Sequence, residues 1–366
     1  APSIQKTSIE NFALCEYLAS HGFIVLASPS RGTDSKWMVG QALKNLEAQS
    51  RDIEFLLKVI NNFEAIDKDN IALMAYSFGG FAASNTIMRN ESIKAYVSLD
   101  GSERYNYTAI EKSPSFDLTR FDIPYVHFAQ KDIPEEVLVA DNIPAELNNQ
   151  FQLYDSLQYS QAYSYKFHDL THTYFSAFSI LFANRDKRQD KSDDKIMASY
   201  RLLAKHTLIF LQSYLQDDPQ AKAFMGNSPE VNGYAEALLT QKMKNPIEKA
   251  FNYKDFNDLA VQQSYENLIP LYQATKQKHP NLQLNEGMLN TLGLRLSFNP
   301  QTKEQGYNIF ILAIHIYPES SNLYDSLGEG YYLHKDFTKA KAAFKKSLDL
   351  NPQNQNAINR LKELEK

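Results

Sequence analysis

The sequence predicts an α/β region with a mainly parallel sheet, followed by an all-helical repeat region. Three observations lead there. Short apolar runs without alternation, at residues 23–27, 71–76, 93–99, 124–129 and 163–167, have the character of strands covered on both faces. Helical stripes separate them. Beyond residue 257 the strand texture stops and a spacing of about 34 residues begins. A length of 366 residues allows two domains.

Taken in order, residues 1–20 read as a loop running into a helix, so the chain is expected to be a piece of a longer protein cut inside its first domain. The run 23–27 is the first expected strand. Leu43, Leu46, Ile53, Leu57 and Ile60 recur at three- and four-residue spacing and predict a helix before the second strand. Another helix should follow Ser77. A third carries Ile196, Tyr200, Leu203, Thr207, Phe210 and Tyr214 after the last strand. Strand, helix, strand, helix builds a sheet through crossovers. Residues 1–216 form this domain. Residues 217–256, with Pro219, Pro229 and Pro246 and no strand-like run, read as a linker, and 257–366 as the helical repeats.

In the tail, Tyr324, Leu327, Gly328, Tyr331, Phe337, Ala340, Phe344, Leu348 and Pro352 follow the tetratricopeptide pattern. Pro318 and Phe310 each stand 34 residues before Pro352 and Phe344, and Leu292-Gly293 stands 35 before Leu327-Gly328. Gly328 and Ala340 are small where two antiparallel helices must approach.

Composition removes several function classes. A single cysteine, Cys15, excludes an intramolecular disulfide framework and a cysteine-rich zinc site. The longest apolar candidate for a membrane span, residues 309–317, is too short and is broken by His315. A net charge of −5 argues against a nucleic-acid partner. The basic run 335–346 reads as a solvated helix face.

The chemistry concentrates at Ala75-Tyr-Ser77-Phe-Gly79-Gly80, between a buried run and a helix rich in small residues. A serine on a sharp strand-to-helix turn thrusts its hydroxyl out of the sheet, and small residues two before and two after keep the turn free of clashes. Ser77 is the candidate nucleophile. It needs a base, and that base needs an orienting acid. With the order serine, acid, histidine, His21 comes too early. His127 lies inside an apolar run, His206 on a helix, and His279, His315 and His334 in the tail. His172, in the loop after the last strand, is the candidate base, with His168 nearer the strand end as the alternative. Asp100 and Asp132 both follow strands, and position does not choose between them.

Leu18–Val25, Tyr76–Gly80, Ser98–Gly101 and His172–Phe175 together resemble the platelet-activating factor acetylhydrolase and dienelactone hydrolase-like group of the α/β-hydrolases, over roughly residues 1–215. The resemblance implies an α/β-hydrolase sheet lacking its first strands, with Asp100 as the triad acid. It implies an oxyanion hole using the backbone N–H of Phe78, with a second donor loop falling at or before Ala1. Dienelactone hydrolases proper use a cysteine nucleophile, and Cys15 lies on the early helix, out of place for that role. The tail resembles repeat extensions attached to some bacterial serine hydrolases, through residues 325–331 and 346–352. The expected activity is carboxylic-ester hydrolysis through Ser77, His172 and Asp100 on a small-molecule or lipid ester, with no metal or organic cofactor. A protein partner is expected on the repeats. The alternative is a scaffold acting through those repeats with an inactive hydrolase domain, and a peptidase on the same fold is a third reading. Trp37, Tyr105, Tyr107 and Phe116 are candidates to line an acyl pocket.

Overall fold

Four of the apolar runs pair into a parallel sheet because each is covered on both faces. In the computed structural model, which describes all residues except 5, 31–42, 65, 182–185, 187 and 366, two units can be distinguished, Ala1–Glu248 and Lys249–Lys366. In the first, α1 (Phe12–Ala19) and α2 (Leu43–Val59) precede β1 (Ile71–Tyr76), α3 (Phe78–Ile87), β2 (Ile93–Leu99), β3 (Tyr125–Ala129) and β4 (Ala162–Phe167). Then come α4 (Asp193–Leu215), α5 (Pro219–Gly226) and β5 (Leu239–Lys244). Among the described residues the sheet has five strands in the order β1-β2-β3-β4-β5, the first four parallel and β5 antiparallel to β4.

The period-two alternation of strand side chains divides the core. Val97, Leu99, Val126, Phe128, Tyr165 and Phe167 pack with Leu14 and Leu18 of α1 and Leu203 and Phe210 of α4. Tyr96, Tyr125 and Ala162 face the other way, with Leu46 and Ile53 of α2 and Phe81 and Ile87 of α3.

Two expectations need correction. Residues 23–27 form no strand. Ile24 is 60% and Leu26 38% exposed, and the run borders a cavity of about 420 Å³ whose far wall includes Ile71, Leu73 and Met74 of β1. An apolar run without a ladder partner is not a strand, since its backbone N–H and C=O groups pair with no neighbouring strand. Conversely, residues 217–256 are not simply a linker. They supply α5 and β5, with Leu239–Lys244 paired along the whole of β4. The sequence Leu-Thr-Gln-Lys-Met-Lys hides this strand because it lies at an edge, where charge replaces apolar side chains.

His206 of α4 sits among the rings of Tyr165, Phe167, Phe224 and Tyr234, with Nδ1 2.9 Å from the Leu202 carbonyl oxygen. Burial pushes its pKa down from 6.5 to about 4. The unfolded chain therefore binds a proton near 6.5 that the folded chain refuses until about 4. The stability this residue contributes is complete above 6.5 and is lost as pH falls through that window. The loss is about 3 kcal/mol. His206→Phe is expected to lose less stability between pH 7 and pH 4.5 than the unsubstituted chain, measured by urea unfolding at both pH values. Equal losses would count against this account.

The second unit is helical: α6 (Tyr253–Gln262), α7 (Leu268–Lys278), α8 (Glu286–Ser297), α9 (Lys303–Ile316), α10 (Ser321–Leu333), α11 (Phe337–Leu350) and α12 (Gln355–Leu364). It starts at 249, earlier than the sequence suggested, with a capping box between Asn252 and Asp255 opening α6. Equivalent contacts recur in successive helix pairs. A β-carbon at Gly293 would lie 2.9 Å from the Phe310 ring, and one at Gly328 2.6 Å from the Phe344 ring. Gly328→Ala is accordingly expected to destabilise the unit by about 1–3 kcal/mol, seen as a lowered unfolding midpoint of the full chain. An unchanged midpoint would contradict that packing. Among the described residues no helix is long and apolar enough to cross a membrane.

Candidate active site

The carboxyl ends of β1 to β4 converge on one place, the usual location for a site on a parallel sheet. Ser77 follows β1, Asp100 follows β2, Gln130 follows β3, and His172 opens a helical turn (His172–Phe175) five residues after β4.

Ser77 adopts φ 52° and ψ −124°, a strained conformation for a side chain with a β-carbon. Its neighbours hold it there. The Ser77 N–H donates to Leu99 O (3.3 Å), while its carbonyl accepts from the N–H groups of Gly80 (2.9 Å) and Ser102 (2.7 Å). A β-carbon at Gly79 would lie 2.5 Å from the Ala1 carbonyl oxygen and 2.7 Å from that of Pro2. Only glycine fits. Ala1 also bridges β1, hydrogen-bonding Met74 O at 2.5 Å and accepting from the Tyr76 N–H at 3.0 Å. The first residues thus adjoin the start of α3. Phe78, first in α3, has a backbone N–H with no acceptor one turn earlier.

Ser77, His172 and Asp100 stand in line. His172 Nε2 is 3.0 Å from Ser77 Oγ, and Nδ1 is 2.6 Å from Asp100 Oδ2. A carboxylate on Nδ1 places the ring proton there and leaves Nε2 as an acceptor facing the hydroxyl. Tyr76 stacks on the imidazole, with centroids 5.2 Å apart, and its hydroxyl donates to His172 O.

Asp100 is buried and also has positive φ, 43°. Burial by itself would raise its pKa. The His172 hydrogen bond and the fields of His172, Arg104 and His127 outweigh it, holding the carboxyl below its usual value. Oδ1 accepts from the Gln130 N–H (3.1 Å) and the Tyr105 hydroxyl (3.3 Å). Gln130 closes the ring of contacts: its Nε2 donates to Tyr105 (2.9 Å) and its Oε1 accepts from the His172 N–H (3.0 Å). Burial and the nearby Asp100 raise the Tyr105 phenol, which therefore stays a donor.

The other candidates stand apart from this line. Asp132, 63% exposed, pairs with Lys166 Nζ at 2.6 Å. His168 Nε2 meets Thr240 Oγ1 at 3.2 Å. Of the residues expected to line an acyl pocket, Tyr105 donates its hydroxyl to Asp100, and Tyr107 and Phe116 pack edge to face 6.0 Å apart. Trp37 lies outside the described residues. The sequence carried no signal for Gln130 or Tyr76 beyond their positions at strand ends. Among the described residues no group of three or more His, Cys, Asp or Glu side chains is arranged to hold a metal ion.

No family model matches the chain, and no curated protein matches it.

Proposed function

We propose that the chain is a serine hydrolase of the α/β-hydrolase type that cleaves carboxylic esters through an acyl-enzyme. What carries the reading is the unbroken line from Ser77 Oγ through the His172 ring to Asp100, at 3.0 and 2.6 Å.

The roles follow from the chemistry of each group. Ser77 Oγ attacks the ester carbonyl as its proton passes to His172 Nε2. Asp100 stabilises the imidazolium that results and keeps the ring oriented. The Phe78 N–H, at the start of α3, donates to the oxyanion of the tetrahedral intermediate. His172 then protonates the leaving alcohol, and water, activated by the same ring, releases the acid and restores Ser77. The substrate is a small-molecule or lipid ester. The recurring glycine–phenylalanine contacts of the second unit support a tetratricopeptide-like array that presents a surface to a protein partner.

The test is reaction of the full chain with a fluorophosphonate probe alongside turnover of short-chain p-nitrophenyl esters. Labelling and turnover together support the hydrolase. Their joint absence would favour a scaffold that works through the helical unit.

A further inference from the structure

On the α2–α3 face of the sheet, toward the edge strand β5, lies a cavity of about 260 Å³ that the proposed reaction does not use. Strand register builds its floor. Ser164 and Lys166 of β4 share a face with Ala162, and they pair with Lys242 and Thr240 of β5, which line the cavity beside them. Asn148, Phe151 and Asp155, from the segment between β3 and β4, line it as well, and Arg104 enters from the turn after β2.

Charge is unevenly matched around this space. Cationic side chains hold the backbone of the covering segment. Arg104 Nη2 donates to the carbonyl oxygens of Leu147 (2.5 Å) and Asn148 (3.1 Å), and Lys166 Nζ donates to that of Asn148 (2.8 Å). Lys242 Nζ donates to Asn149 O (3.1 Å), and Lys244 Nζ to the carbonyl oxygens of Tyr154 and Asp155, both at 3.0 Å. A carbonyl oxygen satisfies an N–H but brings no net charge to set against the cation. Among the described residues only Lys166 of this group has a carboxylate at ion-pair distance, the exposed Asp132. The other nearby acids are engaged elsewhere. Asp155 Oδ2 accepts from the Phe151 N–H at 3.2 Å, and Asp100, which lies in the field of Arg104, is held by His172.

Arg104 is the least satisfied of these cations. It is only 5% exposed. A guanidinium can donate from every one of its nitrogens, yet Nη2 alone does so among the described residues, and the buried Nε has no hydrogen-bond partner. The Tyr105 ring covers one face of the group at 5.5 Å, which leaves the in-plane Nε–H without an acceptor. A buried donor on a charged group is costly to leave unmade, and a charged oxygen is the acceptor that meets both the hydrogen bond and the charge.

We propose that this cavity binds a small anion bearing two or more charged oxygens, a phosphate or a dicarboxylate, with Arg104 as its main partner and Lys242 and Ser164 beside it. The site adjoins the triad's acid, since Tyr105, the residue after Arg104, donates to Asp100. The proposal concerns binding alone and does not rest on the hydrolase reading.

The test follows the thermal unfolding midpoint of the full chain as sodium phosphate or sodium succinate replaces sodium chloride at constant ionic strength and near-neutral pH. A rise that saturates below about 50 mM is expected with at least one of them, and the one that acts more strongly tells a phosphate site from a dicarboxylate site. Excluded salts stabilise without saturating, so a rise that stays linear for both, or no rise, would overturn the proposal. Lys242→Gln removes a charge from an exposed side chain of the edge strand and is expected to weaken the apparent affinity about three- to tenfold. Lys94→Gln, exposed on β2 and outside the cavity, is expected to leave it unchanged. Arg104→Gln is expected to abolish saturation. Arg104 also anchors the covering segment, so Lys242→Gln keeps the test decisive if that variant does not fold. An affinity unmoved by Lys242→Gln, or lowered as much by Lys94→Gln, would overturn the site.

Discussion

Ser77→Ala is expected to lower ester turnover by about 10⁵–10⁶ and to abolish fluorophosphonate labelling. The hydroxyl is the atom that forms the acyl bond, and no other nucleophile has been placed on His172 Nε2. Any residual rate would come from substrate binding and oxyanion stabilisation. The substitution removes one oxygen from a turn held by backbone contacts to Leu99, Gly80 and Ser102, so the folded structure should survive. Circular dichroism and the unfolding midpoint check that survival. Retained labelling in the folded variant would remove Ser77 from its proposed role.

Asp100→Asn is expected to cost about 10⁴ in turnover, the scale seen when a triad acid becomes an amide. The surroundings of Asp100 decide how that amide sits. Oδ1 faces two donors, the Gln130 N–H and the Tyr105 hydroxyl, so the asparagine oxygen must occupy that side. Its NH₂ is then left against His172 Nδ1, where Oδ2 had been. A donor there drives the ring proton to Nε2 and turns the base away from Ser77. Asp132→Asn removes only an exposed ion pair with Lys166, so turnover should stay within about threefold. Steady-state rates of the two variants separate the acids. If Asp132→Asn were the damaging one, the assignment of Asp100 would fail.

Much of the site was legible because its signals are local. A serine between a buried strand and a helix, with glycine two residues on, constrains its own backbone whatever else the chain does. Chain order then removed His21, and placement in an apolar run, a helix or the tail removed five more, leaving His172 and His168 of the eight histidines. The fold was readable to the same degree where burial leaves a periodic mark, as in α2, α4 and β1 to β4. It failed at residues 23–27, where an apolar run found no ladder partner, and at β5, where Lys and Gln conceal a strand whose pairing comes entirely from β4. The Tyr105 contact with Asp100 was hidden for a related reason, since an aromatic ring near a strand end announces its bulk but not what its hydroxyl will meet.

By itself, then, the sequence determined the parallel strands β1 to β4, the helices that flank them, the spacing of the tail and the turn that exposes Ser77. Each of these follows from contacts within a few residues or from a repeated pattern. Only the tertiary structure separated Asp100 from Asp132, brought Gln130 and Tyr105 to the buried acid, and gathered Arg104, Lys166 and Lys242 on the backbone of residues 147–149. Those choices depend on which side chains meet across the sheet from distant parts of the chain, such as Lys166 reaching Asp132 from the next strand. No local spacing encodes such meetings, because they exist only once the strands are in register.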